Sequence, residues 1–332
     1  MVYGTRPEAL KLAPIVKACK ARGLDIEATC TNQSPDLLGG LKLDCPHGKN
    51  TSPALVVVQG DTETAFEGAV AWFKEGVPLF HVEAGVRSGR LDSPFPEEGL
   101  RRMISQIATY HACTTEHNKR NLIMERVVGR IERQPDGKWS VSAELRTENI
   151  RMTGSPVVES VRERAQTGVG VPVDGIYLTL HRRENRGRFR AIVEAIGQVF
   201  DPATVRWLSH PNGWAASEAA GLPIQPEPPM QAAHFAGCLS LARLVITDSG
   251  GVVEEAQSLG TPSIQARTVT DRLECLGKGS FCWDLTTAES LLEHVQRIAE
   301  SDAVNLQWVD RTIYGDGKAS ERIADWLAEI VA

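Results

Sequence analysis

No stretch of this 332-residue chain reaches the roughly 18 consecutive apolar residues that a membrane helix needs, and the N-terminus MVYGTRPEALKLAP has neither the basic segment nor the apolar run of a signal peptide. A cytoplasmic protein, with no membrane as partner, is expected. Positive charge is not in excess either: 36 Lys+Arg stand against 42 Asp+Glu, a net charge of -6. The molecule as a whole therefore does not attract phosphate polymers or anionic surfaces, and an anionic ligand must be held by a local site. The seven cysteines (Cys19, Cys30, Cys45, Cys113, Cys238, Cys275, Cys282) are odd in number and contain no C-x-x-C pair. That pattern fits free thiols better than a disulfide framework, and it offers no zinc site. Aromatics make up only 6% of the chain, which tilts the class toward an α/β enzyme and away from a sandwich.

Several catalytic signatures are missing too. No G-x-G-x-x-G opens a helix, and Gly317-Lys318 lacks the P-loop glycine because position 312 is Thr312, so nicotinamide and nucleoside-triphosphatase readings lose their best support. The absence of H-E-x-x-H, D-x-D and G-x-S-x-G disfavours metal hydrolysis, a metal-dependent sugar-nucleotide site and a serine hydrolase. No metal and no cofactor is expected.

What is present is an alternation of short apolar runs with helical patterns, the signature of parallel sheets built from βαβ units. Strands are expected at Ile26–Cys30, Leu55–Gln59, Leu79–Val82, His111–Thr114 and Ile150–Met152, then at Ile176–Leu180, Val205–Ser209, Leu244–Thr247 and Pro262–Gln265. A helix is expected over Glu8–Ala21, with Ala9, Leu12, Ala13 and Val16 as its apolar stripe and Pro14 inside it as a kink. The fold class that follows is α/β, with two Rossmann-like parallel-sheet domains. The Gly/Pro-punctuated stretch Gln166–Pro172 is the candidate hinge, and strand-end loops are expected on both sides of a cleft between the halves. Arg130–Arg146 breaks the rhythm: Pro135-Asp136-Gly137 lies between two alternating arms and predicts an inserted β-hairpin.

The strand-end loops carry the polar chemistry. Asp61 follows Val56–Gly60 and Glu83 follows Leu79–Val82. Asp61 has an alternative reading as a helix cap, whereas Glu83 has no helix to cap. Pro94–Pro96 leads into Glu97-Glu98, and neighbouring carboxylates on a helix diverge, so at most one of them serves a cleft. His181-Arg182-Arg183-Glu184 follows a strand and suits an anion and proton-transfer site. Asp248-Ser249-Gly250-Gly251 opens a helix whose small residues let backbone N–H groups approach a phosphate.

In order along the chain, Gly4–Lys11, Gly60-Asp61-Thr62, His81–Gly85, Pro94–Glu98, His181–Glu184, Thr247–Gly251 with Glu254-Glu255-Ala256, and Tyr314–Gly317 resemble the motifs of the non-hydrolysing UDP-N-acetylglucosamine 2-epimerases. The resemblance implies the glycosyltransferase-B type of fold. It places an N-terminal domain at 1–165, shortened and carrying the hairpin near 130–146, a UDP-binding domain at 173–318, and a last helix, 319–332, crossing back to the first domain. It also implies metal-independent, reversible epimerisation at C2 of UDP-N-acetylglucosamine through UDP elimination and re-addition. Asp61, Glu83 and Glu97 would form the acid/base set, with Arg101 and His181 stabilising the departing diphosphate. The implied UDP contacts are Arg6, Lys11, His210, Phe235, Ser249, Gly250, Gly251, Glu255 and Arg272. A homodimer is the expectation carried over with the family.

The departures from the family pattern are specific. The chain begins close before Gly4, so little of the first strand is expected, and an extra helical unit is expected to be missing between Thr31 and Leu55. Thr31-Asn32-Gln33-Ser34 lacks the usual His after Gln, so activation by a second UDP-N-acetylglucosamine is expected to be lost or altered. Leu100, Arg90 and Leu273 replace family Asn, Asp and Pro. Two alternatives stay open: a UDP-sugar-dependent glycosyltransferase on a large acceptor, even nucleic acid, met through Arg133, Lys138, Trp139 and Arg146; and an inactive UDP-sugar-binding protein.

Overall fold

Thr5 starts the first long helix by capping it. Its hydroxyl accepts from the Glu8 N–H, while the Glu8 carboxylate reaches back to the Thr5 N–H at 2.7 Å, a capping box that satisfies donors the helix itself leaves unpaired. In the computed structural model this helix runs over Arg6–Ala21 and continues through Pro14. Its buried face is Ala9, Leu12, Ile15, Val16 and Cys19, with Ala13 exposed. The stripe turns toward Ile15 because 3.6 residues per turn carry position 13 out to solvent.

The structure describes residues 1–31, 42–46, 48, 52–125, 130–133, 139–142, 147–168, 175–209, 214–284, 287–304 and 308–332. The chain divides into two units, Met1–Ser160 with Gly315–Ala332, and Val161–Tyr314.

In the first unit, β1 (Val2–Tyr3) pairs parallel with β2 (Thr29–Cys30). A four-stranded parallel sheet has the order β3 (Val56–Gln59), β4 (Leu79–Ala84), β5 (Tyr110–Cys113) and then β8 (Ile150–Met152). Between β5 and β8, β6 (Arg130–Arg133) and β7 (Trp139–Ser142) form an antiparallel pair whose backbone register sets Arg133 opposite Trp139. The intervening Pro135-Asp136-Gly137 turn lies outside the described residues. Parallel strands demand crossovers, and helices Glu63–Lys74 and Glu97–Ile107 supply them. The last helix, Ala319–Val331, buries Ile323, Ala324, Trp326 and Leu327 against the first helix and Phe80. Trp326 meets the Phe80 ring edge-on at 4.8 Å, and the Arg151 guanidinium lies 4.5 Å over the indole.

The second unit is a six-stranded parallel sheet in the order β11 (Pro226–Glu227), β10 (Val205–Leu208), β9 (Ile176–Thr179), β12 (Leu244–Thr247), β13 (Ser263–Gln265) and β14 (Ser280–Cys282). One face buries Leu178, Ile246 and Ile264 with Ile192, Val193 and Trp283; the other buries Tyr177, Val245, Leu239 and Ala256. Strands hydrophobic on both faces are what a parallel sheet covered by helices requires. All seven cysteines are free thiols. No helix among the described residues is long and apolar enough to cross a membrane.

Candidate active site

In the first unit the polar side chains converge at the carboxyl ends of β3 and β4. Gly60 (φ 73°) turns the chain after β3 and presents Asp61. The next residue, Thr62, is the helix cap and accepts from Ala65 N–H at 3.1 Å, so the capping alternative for Asp61 falls away. Arg101 Nη2 donates to Asp61 Oδ2 instead. On β4 the register shifts between Val82 and Ala84, and Glu83 sits in the left-handed region at φ 66°. That bulge directs its carboxylate to Lys11 Nζ at 2.6 Å and to the Gln59 amide, which donates to the same oxygen.

Glu97 and Glu98 diverge, as neighbouring residues on a helix must. Glu98 is fully buried; its oxygens accept from the Ser88 N–H at 3.0 Å, from Arg102 Nε at 3.0 Å and, more weakly, from Arg101 Nη1 at 3.5 Å. Glu97 is half-buried, with one oxygen enclosed and holding no hydrogen bond, an arrangement that suits an arriving polar ligand. Glu8 is a further buried carboxylate, one that the sequence marks only as part of a motif. It accepts from Gly4 N–H at 2.8 Å and from the Thr62 hydroxyl, tying the N-terminal loop to the residue after Asp61. Burial raises its pKa, against the pull of these hydrogen bonds. His81, behind Glu83, is wholly buried, and burial lowers its pKa to about 3; its Nε2 therefore donates, as a neutral ring, to the Gly60 carbonyl at 2.8 Å. Arg6 and Lys11 share the first helix.

In the second unit the polar groups gather at the carboxyl ends of β9, β12 and β13. The imidazole Nδ1 of His181 lies 3.3 Å from Asp248, and burial lowers the His181 pKa while Asp248 opposes the shift. Ser249 caps helix Gly250–Leu259, its hydroxyl accepting from Val252 N–H. Arg272 lies against this helix start: a Cβ on Gly250 would stand 3.4 Å from its guanidinium carbon. The same guanidinium meets Glu254 at 2.7 Å and Asp271 at 3.3 Å. Glu255 pairs with Arg164 at 2.7 Å. Phe235 packs edge-on to Tyr177, ring centres 6.4 Å apart. His210 lies outside the described residues. Among those described, no group of three or more His, Cys, Asp or Glu side chains is placed to hold a metal ion.

A family model described as UDP-N-acetylglucosamine 2-epimerase matches residues 46–328. The chain belongs to the UDP-N-acetylglucosamine 2-epimerase family. The UDP-N-acetylglucosamine 2-epimerase of Bacillus subtilis is 30% identical to it over 376 aligned positions, covering 98% of this chain and 93% of that protein. An alignment longer than the 332 residues here means that this relative carries internal segments the chain lacks. The S. aureus MnaA–UDP co-structure superposes with a TM-score of 0.79 at 26% identity, covering 99% of this chain and 95% of that one. The Methanocaldococcus jannaschii UDP-GlcNAc 2-epimerase in complex with UDP-GlcNAc and UDP gives 0.75 at 27% identity, with 99% and 98% covered. The expected α/β fold of glycosyltransferase-B type, with parallel-sheet units, is the fold of this family.

Proposed function

We propose that the chain interconverts UDP-N-acetylglucosamine and UDP-N-acetylmannosamine without a metal. C2 of the sugar bears an acetamido group rather than a carbonyl, so its proton is barely acidic and direct inversion is difficult. Elimination avoids the problem: a base takes the C2 proton, the bond from C1 to the UDP oxygen breaks with its electron pair leaving on UDP, and 2-acetamidoglucal forms. Protonation of C2 on the other face and return of UDP to C1 complete the inversion. Two faces require two acid/base groups. The observation that carries the reading is the placement of Asp61 and Glu83 at the ends of adjacent parallel strands, one tied to Arg101 and the other to Lys11, with Glu97 on the helix that bears Arg101.

In this proposal Asp61, Glu83 and Glu97 are the acid/base set, and Arg101 and His181 stabilise charge on the departing diphosphate. Arg6, Lys11, Ser249, Gly250, Gly251, Glu255, Arg272, Phe235 and His210 hold UDP. Support for the phosphate contacts comes from the helix start at Ser249–Gly251 with a guanidinium beside it. A cytoplasmic homodimer belongs to the same proposal, and light scattering on the purified protein checks the dimer. Incubation with UDP-N-acetylglucosamine in deuterium oxide tests the reaction: solvent deuterium should enter C2 of both epimers, and turnover with no label at C2 would sink the reading.

A further inference from the structure

Asp248 is wholly buried at the end of β12, and the groups that meet its carboxylate come from one short stretch after β9. The His181 N–H lies 3.1 Å from each oxygen, the Arg182 N–H donates to Oδ2 at 3.0 Å, and the Asn185 amide donates to Oδ2 at 3.0 Å. The His181 ring Nδ1 stands 3.3 Å from Oδ1. Arg182 Nε returns to the Asp248 carbonyl at 3.1 Å, and Asn185 also donates to the Ala266 carbonyl at 2.9 Å, which fastens the stretch to the end of β13. A buried carboxylate is costly unless donors surround it. Here those donors are the backbone and side chains of the loop that carries His181, so satisfying Asp248 and placing His181 are one structural event.

We infer that Asp248 is the positioning residue for His181, fixing the 181–185 loop and holding Nδ1 toward its carboxylate so that Nε2 is the ring atom offered to the leaving diphosphate. The inference rests on the epimerase reading for its consequence in turnover. Besides Asp248, charged groups around His181 among the described residues include Arg182, Arg267 and Glu184, and Trp214 Nε1 donates to the His181 carbonyl at 3.4 Å. Burial and the two guanidinium groups disfavour an imidazolium; the Asp248 carboxylate opposes them and supports the charged ring while negative charge builds on the diphosphate. An amide at 248 would keep the shape, remove that charge and turn an NH2 group toward backbone N–H donors.

The test uses Asp248→Asn with histidine labelled by 15N, the His181 signal being assigned by its loss in His181→Gln. The expected result is a fall in kcat of about 100-fold with UDP affinity within about threefold of the parent, a His181 pKa lower than in the parent, and changed His181 ring-nitrogen shifts. Unchanged His181 shifts and pKa would overturn the inference, as would kcat and UDP affinity falling together. Should Asp248→Asn not fold, Asn185→Ala removes one of the donors; a smaller loss of kcat with a His181 shift in the same direction is expected, and an unmoved signal overturns the inference. The histidine spectrum needs no turnover. A parent chain that fails to label C2 would therefore sink the epimerase reading, while the spectrum still decides the role of Asp248.

Discussion

Glu83 is held at φ 66°, a conformation that costs a non-glycine residue on the order of 1–2 kcal/mol. The neighbours that hold it there, Lys11 and Gln59, also fix its carboxylate. Glu83→Gln or Asp61→Asn should lower turnover by about 100-fold or more while leaving UDP affinity largely intact, measured by steady-state kinetics and calorimetry. Parallel loss of both would mean a structural role. Glu98 contributes differently. Its buried oxygens gather a backbone N–H and the Arg101 and Arg102 guanidinium groups, so Glu98→Gln should cost about 2–4 kcal/mol in urea unfolding and lower kcat through a misplaced Arg101. Asp61 and Glu83 are legible in the sequence because an acid directly after an apolar strand stands at a strand end. The role of Asp248 is not, because a carboxylate wrapped by N–H donors more than sixty residues away leaves no mark at its own position; Glu98 is legible only as one of a diverging pair, and its burial shows which of the two turns inward.

Among the elements, capping boxes are the most local device, and each can be broken singly. Thr115 caps helix Glu116–Met124 by accepting from Asn118 N–H at 3.2 Å, and Thr115→Ala should cost about 1 kcal/mol of stability in thermal or urea unfolding. Gly85 follows β4 at φ 84°, where a Cβ would stand 2.2 Å from the Asn118 carbonyl oxygen; both backbone and neighbour thus demand glycine. His81 and His111 face each other across β4 and β5, and burial lowers their pKa values to about 3 and about 4. Their folded pKa values lie below the unfolded value near 6.5, so the unfolded chain takes up protons first and stability is lost as pH falls from about 6.5 toward 4, at about 1.4 kcal/mol per pH unit for each ring. Urea melts at pH 7, 5.5 and 4.5 should show this slope, and a His111→Gln variant with the same slope as the parent would contradict the assignment. Strand positions are readable from apolar runs, but the two-residue strands Val2–Tyr3 and Pro226–Glu227 are too short to give a period, and only their sheet partners define them.

For the molecule as a whole, each unit has its own parallel sheet and its own buried core, and the net charge of -6 coexists with buried guanidinium groups paired to carboxylates, Arg101 with Asp61 and Arg272 with Glu254. The Bacillus subtilis relative carries segments this chain lacks. Of the stretch that departs from the family pattern, Asn32-Gln33-Ser34 lies outside the described residues. Activation of the reverse reaction by UDP-N-acetylglucosamine is expected to be absent or altered, and initial rates from UDP-N-acetylmannosamine with and without the added epimer check this. The central claim, that inversion proceeds by breaking and remaking the bond between C1 and UDP, is tested most directly with substrate labelled with 18O in that bond. The account predicts that the label moves from the bridging to the non-bridging oxygens of the β-phosphate at a rate no slower than epimerisation. Epimerisation with the label retained in the bridge would contradict it.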